Sequence, residues 1–346
     1  MTAKQKLLTL LKGEKTDSPV VFGEIRHVDF INRITGGDIK AADDEEKLYL
    51  TVTAYVKAGV TICRSLMLPK WGLYKDVVWD GYLNWKANGE QQYTYDESLK
   101  ILRDMADKRG IFSSDAVIRK AEWLADYRKK AQKIMGDDML YIPDITHFCL
   151  EGTYHTLGLT NFSYIMADDP KLVDAALEAN FLSAQTIMEI MVKQDSSLLV
   201  HLADDLGMKN TTILPPDWLR EFYFPKLKKL IGSAHAIGLK FFFHSCGNVN
   251  EVLEDIIDAG ADMMEPLELT SGMNLKEVSA RVGDRLILCG NQDLNMLGMG
   301  TPDEVRSNTL RLLREGGSRY MIPAYFSQNA DVENVYAWMD AVKNYK

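Results

Sequence analysis

Along the chain, short apolar runs alternate with longer stretches whose apolar residues recur at helical spacing. The runs are PVVFGEI (19–25), GVTICRS (59–65), MLYIPDI (139–145), SLLVHLA (197–203), LKFFFHS (239–245), ADMMEPL (261–267), RLILCGN (285–291) and RYMIPAY (319–325). Each is nearly continuous in apolar character, as expected of a strand buried on both faces in a parallel sheet. PPDWLREFYFPKLKKLIGSAHAIG (215–238) predicts one helix, opened by prolines and closed by a glycine. TPDEVRSNTLRLLREGG (301–317) predicts another, with Thr301 as N-cap and Gly316 as its stop.

Eight strand-then-helix units predict an α/β chain forming a (β/α)₈ TIM barrel, a single domain over 1–346. A doubly wound open sheet is the alternative. The stretch 66–112 breaks the rhythm. Within it, WGLYKDVVWDGYLNWKANGEQQYTYDE alternates in the manner of β-strands and holds an Asn88-Gly89 turn signal, so an inserted hairpin region is expected after the second strand.

In a barrel, chemistry gathers at the C-terminal ends of the strands. The polar residues there are Glu24, Arg26, His27, Arg64, Asp144, His201, Asp204, Asp205, His244, Cys246, Glu265, Glu268, Cys289, Asn291, Asp293 and Tyr325. The mouth is therefore acidic, with a few soft ligands.

Composition narrows the classes of function. A chain of 346 residues that is 46% hydrophobic and 26% charged is globular. Its net charge of −9 gives no basic face for nucleic acid. No apolar run has the length of a membrane span. The start, MTAKQKLLTLLKGEKTDSPV, predicts a short surface helix without a signal-peptide cleavage pattern. Four scattered cysteines (Cys63, Cys149, Cys246, Cys289) suit a cytoplasmic protein better than a disulfide framework.

His244 and Cys246 end the LKFFFHS strand two residues apart, so their side chains point to one face. An imidazole and a thiolate together favour zinc over magnesium or calcium. The alternative is a buried cysteine beside a histidine satisfied by backbone. Zinc needs a third protein ligand, and Glu265, Asp204 and Cys289 are the candidates. Each has a bland counterpart: a cap or salt bridge for the carboxylates, packing for the thiol. His201 is read either as lining the mouth or as a core residue. Trp71 and Trp79 in the hairpin either pack on the barrel rim or cap its mouth over a substrate.

Several stretches together resemble the uroporphyrinogen decarboxylase superfamily. They are Asp204-Asp205-Leu206-Gly207, the Pro215-Pro216 helix start, His244-Ser245-Cys246-Gly247-Asn248, GDRLILCGNQD, the opening LLKGEKTDSPV and the closing DVENVYAWMDAVK. The resemblance implies a (β/α)₈ barrel with one of two activities: cofactor-free decarboxylation of uroporphyrinogen, or zinc-dependent methyl transfer involving a corrinoid. The decarboxylases carry an Arg-x-Ala-Gly-Arg stretch after the first strand. Here that region reads EIRHVDFINR, with only Arg26 and Arg33 nearby. Methyltransferases serving coenzyme M carry His-x-Cys and a distant cysteine. His244 and Cys246 match the pair, but IPAYFS offers Tyr325 where the cysteine is expected.

The resemblance thus implies a methyltransferase that moves a methyl group between a small donor and a corrinoid protein, with zinc as cofactor. A site short of one thiolate is a harder acid, which favours an O-methyl donor. Tyr325, Asp204 and His201 are the expected catalytic residues; His244, Cys246, Glu265 and Cys289 the expected metal ligands; Trp71, Trp79 and Asn291 the expected substrate contacts. A decarboxylase and a non-catalytic binding protein on the same barrel are the alternatives.

Overall fold

The computed structural model describes residues 1–64, 66, 77–80, 84–87, 93–107, 114–145, 149–193 and 197–345, with backbone alone in 77–80 and 84–87 and at 114, 116, 117 and 120. Eight parallel strands, each followed by at least one helix, give the α/β class and the (β/α)₈ barrel read from the sequence. All eight lie at the expected runs: β1 (Val20–Ile25), β2 (Ile62–Cys63), β5 (Leu140–Tyr141), β6 (Leu199–Ala203), β7 (Lys240–His244), β8 (Met263–Glu265), β9 (Ile287–Cys289) and β10 (Tyr320–Phe326). The inserted β3 (Val77–Asp80) and β4 (Asn84–Ala87) pair antiparallel as the expected hairpin. The register pairs Asp80 with Asn84 and Val77 with Ala87, and the expected turn at Asn88-Gly89 lies outside the described residues.

Two compact units make up the chain. One comprises Met1–Asn88, Arg128–Tyr141 and Pro266–Lys346. In it β1 pairs with β10 from Val20↔Met321 to Ile25↔Phe326, β2 and β5 continue on one side, and β9 pairs with β10 on the other. Helix Pro302–Gly316 begins with the expected Thr301 cap, here a full capping box with Glu304.

The other unit comprises Gly89–Tyr127 and Ile142–Glu265. Here β6, β7 and β8 run side by side, and Asp144 bridges to His201 on β6. The core of β7 is Phe241, Phe242 and Phe243, all fully buried. Burying one such side chain contributes roughly 1.5–3 kcal/mol, so this strand is a firm base for whatever its end carries. The helix expected over 215–238 is interrupted: Pro216–Trp218 leads into a π-turn at Leu219–Tyr223 before Phe224–Ala236. Pro225 explains the widening. Its ring would meet the carbonyl four residues back in a regular α-helix, and a widened turn relieves that clash.

Candidate metal centre

The register of β6, β7 and β8 sets Ala203, His244 and Glu265 side by side at the strand ends. His201 lies two residues before Ala203 and shares its face. His201, His244 and Glu265 are thereby brought together. Glu265 is fully buried, and its Oε1 lies 2.8 Å from His244 Nδ1 and 2.9 Å from His201 Nε2. On its far side, His201 Nδ1 lies 3.2 Å from Asp144 Oδ1.

His244 turns its other nitrogen outward. Nε2 is 3.3 Å from Cys246 Sγ and 3.6 Å from Asp205 Oδ1. Two groups of potential ligand atoms result, each within 4.8 Å mutual distance: Asp205, His244 and Cys246, all partly exposed, and His201, His244 and Glu265. His244 belongs to both through different nitrogens.

The loops after β6 and β7 hold Asp205 opposite Cys246. The Asp205 carboxylate accepts the Cys246 N–H at 2.7 Å, and Tyr154 donates to the Asp205 carbonyl at 3.1 Å. The Ser245 hydroxyl accepts the Leu206 N–H at 2.8 Å, and Asn248 N–H donates to Met208 O at 2.7 Å. Gly207 and Gly247 let the loops meet. A Cβ on Gly247, whose φ is +78°, would fall 2.5 Å from Gly207 O, and a Cβ on Gly207 would fall 2.5 Å from Cys246 O. Both positions therefore require glycine.

Electrostatics here favour a cation. Burial opposes charge on His244, but the Glu265 carboxylate and the hydrogen bonds with Cys246 and Glu265 outweigh it and hold the imidazole well above the usual histidine range. One imidazole, one thiol and one carboxylate facing one another form an N, S, O donor set suited to zinc. A carboxylate on the remaining ring nitrogen is the usual support for a metal-bound histidine. The residues thus fit a zinc ion, which Asp205, His244 and Cys246 could hold, with Glu265 behind His244.

The other expected site residues fall as follows. Asp204 is fully buried, and its carboxylate accepts the N–H groups of Leu150 at 3.0 Å and Glu151 at 2.5 Å. It thereby caps helix Leu150–Leu157. Burial pushes its carboxyl up to about 7, against the pull of those amide donors. Cys289 ends β9, fully buried, and belongs to neither ligand group. Asn291 is buried at φ +65°, donates to the carbonyls of Leu267 and Met273, and so ties a loop together. Tyr325 is half-buried on β10, in register with Glu24 and edge-on to Phe22. Trp71 and the side chain of Trp79 lie outside the described residues.

Asp205 is the residue that strand periodicity misses, because β6 ends at Ala203 and parity says nothing beyond it. The available signal is the glycine pair, Gly207 two residues after Asp205 and Gly247 directly after Cys246.

The sequence profile of the uroporphyrinogen decarboxylase (URO-D) family matches residues 150–345, more than half the chain and all of the loops just described. The chain belongs to this family. It is 31% identical over 108 residues to a uroporphyrinogen decarboxylase of Chlorobium luteolum, covering 30% of this chain and 29% of that protein. With a Methylcobamide:CoM methyltransferase, MtaA, of Methanosarcina barkeri it shares 24% identity over 175 residues, 50% of this chain and 49% of that one. The chain thus spans less than half the length of these curated relatives. A solved methyltransferase from Methanosarcina mazei has the same fold, with a TM-score of 0.71 at 19% identity over 99% of this chain and 98% of that one. Among the described residues, no helix is long and apolar enough to cross a membrane.

Proposed function

We propose that this URO-D family member is a zinc-assisted methyltransferase that moves a methyl group from a small O-methyl donor to a corrinoid protein. The observation that carries the reading is the donor set of Asp205, His244 and Cys246. Bound there, zinc supplies Lewis acidity toward a departing oxygen. The thiolate and the carboxylate balance its charge, while the carboxylate makes the set harder than a pair of thiolates.

The chain's own residues hold and align. Asp205 and Cys246 sit on loops locked by the Gly207–Gly247 contact. Glu265 fixes the ring of His244. In the transfer, the donor's C–O bond breaks, its electron pair stays on oxygen, and that oxygen takes a proton. The methyl carbon forms its new bond with the electron pair of the partner's Co(I). Water can supply that proton; Tyr325, the acid expected from the sequence, stands on β10 in the other compact unit.

The decarboxylase relatives motivate a second reading. A substrate with many carboxylates needs cations at its site. Arg26 is paired with Glu24, and Arg33 with Glu333. Both arginines near the family's arginine stretch are thus engaged by acids, which disfavours that reading.

The test offers purified protein two reactions: demethylation of a panel of methyl ethers with a Co(I) corrinoid protein, and methylation of a thiol from methylcobalamin. The cobalt spectrum should report the first. Thiol methylation without ether demethylation overturns the O-methyl reading, and CO₂ release from uroporphyrinogen restores the decarboxylase.

A further inference from the structure

We propose that His201, backed by Asp144, is a positioning residue of the metal centre and sets the tautomer of His244 through Glu265. The inference rests on the zinc reading above.

His201 has no exposure at all and packs edge-on against Phe242, with ring centroids 5.2 Å apart. It lies between two carboxylates, with Nδ1 3.2 Å from Asp144 and Nε2 2.9 Å from Glu265. Asp144 is 22% exposed, so this row of groups reaches solvent there. The strand bridge between Asp144 and His201 fixes the spacing of the pair.

The key atom is Glu265 Oε1, which faces both imidazoles at 2.8 and 2.9 Å. A carboxylate buried this completely stays ionised only with strong partners. Two ring N–H donors on one oxygen supply them and also prevent the group from turning. An ionised carboxylate only accepts hydrogen bonds. His244 must then keep its Nδ1 proton, so the nitrogen free to give up its proton and offer a lone pair to a metal is Nε2. That is the nitrogen facing Cys246 and Asp205. If His201 is removed, Glu265 loses its anchor and either tautomer of His244 becomes available. His201 stands outside the group of Asp205, His244 and Cys246 and meets Glu265 directly, so it acts on the metal through Glu265.

The experiment measures zinc affinity of full-length protein by competition with a chromophoric chelator, alongside the spectrum of the cobalt(II)-substituted protein. His201→Leu fills the volume and offers no donor; His201→Gln restores an N–H toward Glu265. His201→Leu should weaken zinc binding about 10–100-fold, the range for loss of a supporting partner of a ligating histidine. His201→Gln should recover most of the loss, and Asp144→Asn should show a smaller one. A residue with only a packing role would change the melting temperature and leave the affinity of the folded fraction intact.

A folded His201→Leu protein with wild-type zinc affinity overturns the inference. So does X-ray absorption showing zinc on two imidazoles and a carboxylate without sulfur, because the metal would then occupy the His201, His244 and Glu265 group itself. Should His201→Leu fail to fold, Glu265→Gln and Asp144→Asn decide: weakening in both supports the role, and unchanged affinity in both overturns it. His244→Ala and Cys246→Ala test the zinc reading separately. Retained zinc in those two overturns the reading itself.

Discussion

The Asp205 carboxylate accepts the backbone N–H of Cys246 at 2.7 Å. One side chain thus shapes the loop that carries the thiol and faces the same space as that thiol. Its oxygen is also 3.6 Å from His244 Nε2.

Zinc content follows from that arrangement. Purified protein should hold about one zinc per chain, as expected of one three-ligand centre. His244→Ala and Cys246→Ala should each remove it with the fold kept. Asp205→Asn should keep the loop and weaken the metal, since an amide oxygen still accepts the Cys246 N–H but carries no charge. Elemental analysis checks this, and a zinc content unaffected by Asp205→Asn would remove Asp205 from the ligand set.

Gly247→Ala should damage the site through the backbone. The left-handed conformation alone costs a side chain roughly 1–2 kcal/mol. The new Cβ would also press on Gly207 O, a backbone atom that cannot rotate away. We expect more than about 2 kcal/mol lost in urea unfolding, with loss of zinc in the folded fraction. An equally stable, zinc-replete variant contradicts the loop contact.

Asp204 is placed as a cap, and its substitution should read out as stability. Asp204→Ala leaves the N–H groups of Leu150 and Glu151 without their buried acceptor. Each such loss costs about 1–3 kcal/mol. Asp204→Asn retains an acceptor and should recover part of the difference. If Asp204→Ala is as stable as wild type but inactive, the residue belongs to the chemistry.

The His155–Glu151 pair supplies a pH prediction. Glu151 lies 3.4 Å from His155 Nε2, and its hydrogen bond raises the imidazole above the usual histidine range against the effect of burial. A raised histidine stabilises the fold fully below its unfolded value, and that contribution is lost as pH rises through the folded value. With His155 58% exposed, the stability effect is small and NMR titration is the better probe. Glu151→Gln should bring the titration midpoint down. An unchanged midpoint means that the pair does not form in solution.

How much was legible in the sequence depended on the kind of signal. The strands were readable because a parallel strand buried on both faces must be apolar throughout, as FFF in β7 illustrates. His244 ends β7 as expected, whereas Cys246 lies two residues past it, and the loop contact with Asp205 holds its thiol beside the imidazole. Glu265 was readable as a strand-end residue, but whether it binds metal or orients His244 depends on which imidazole nitrogen it meets. Asp205 lies two residues past β6, where the contact with the Cys246 N–H sets its direction, and the sequence does not show that contact. The π-turn at Leu219–Tyr223 is hidden because the apolar residues on both sides of Pro225 keep their helical spacing.

The contact between Gly207 and Gly247 has a consequence for how this barrel diversifies. Barrel enzymes commonly vary their chemistry by changing one strand-end loop at a time. Here the loops after β6 and β7 are joined backbone to backbone, and neither can accept a side chain at the junction. They behave as one inherited cassette. A chimera that takes one of these loops from a relative of different loop geometry should lose the metal centre, whereas one that takes both should carry it across intact.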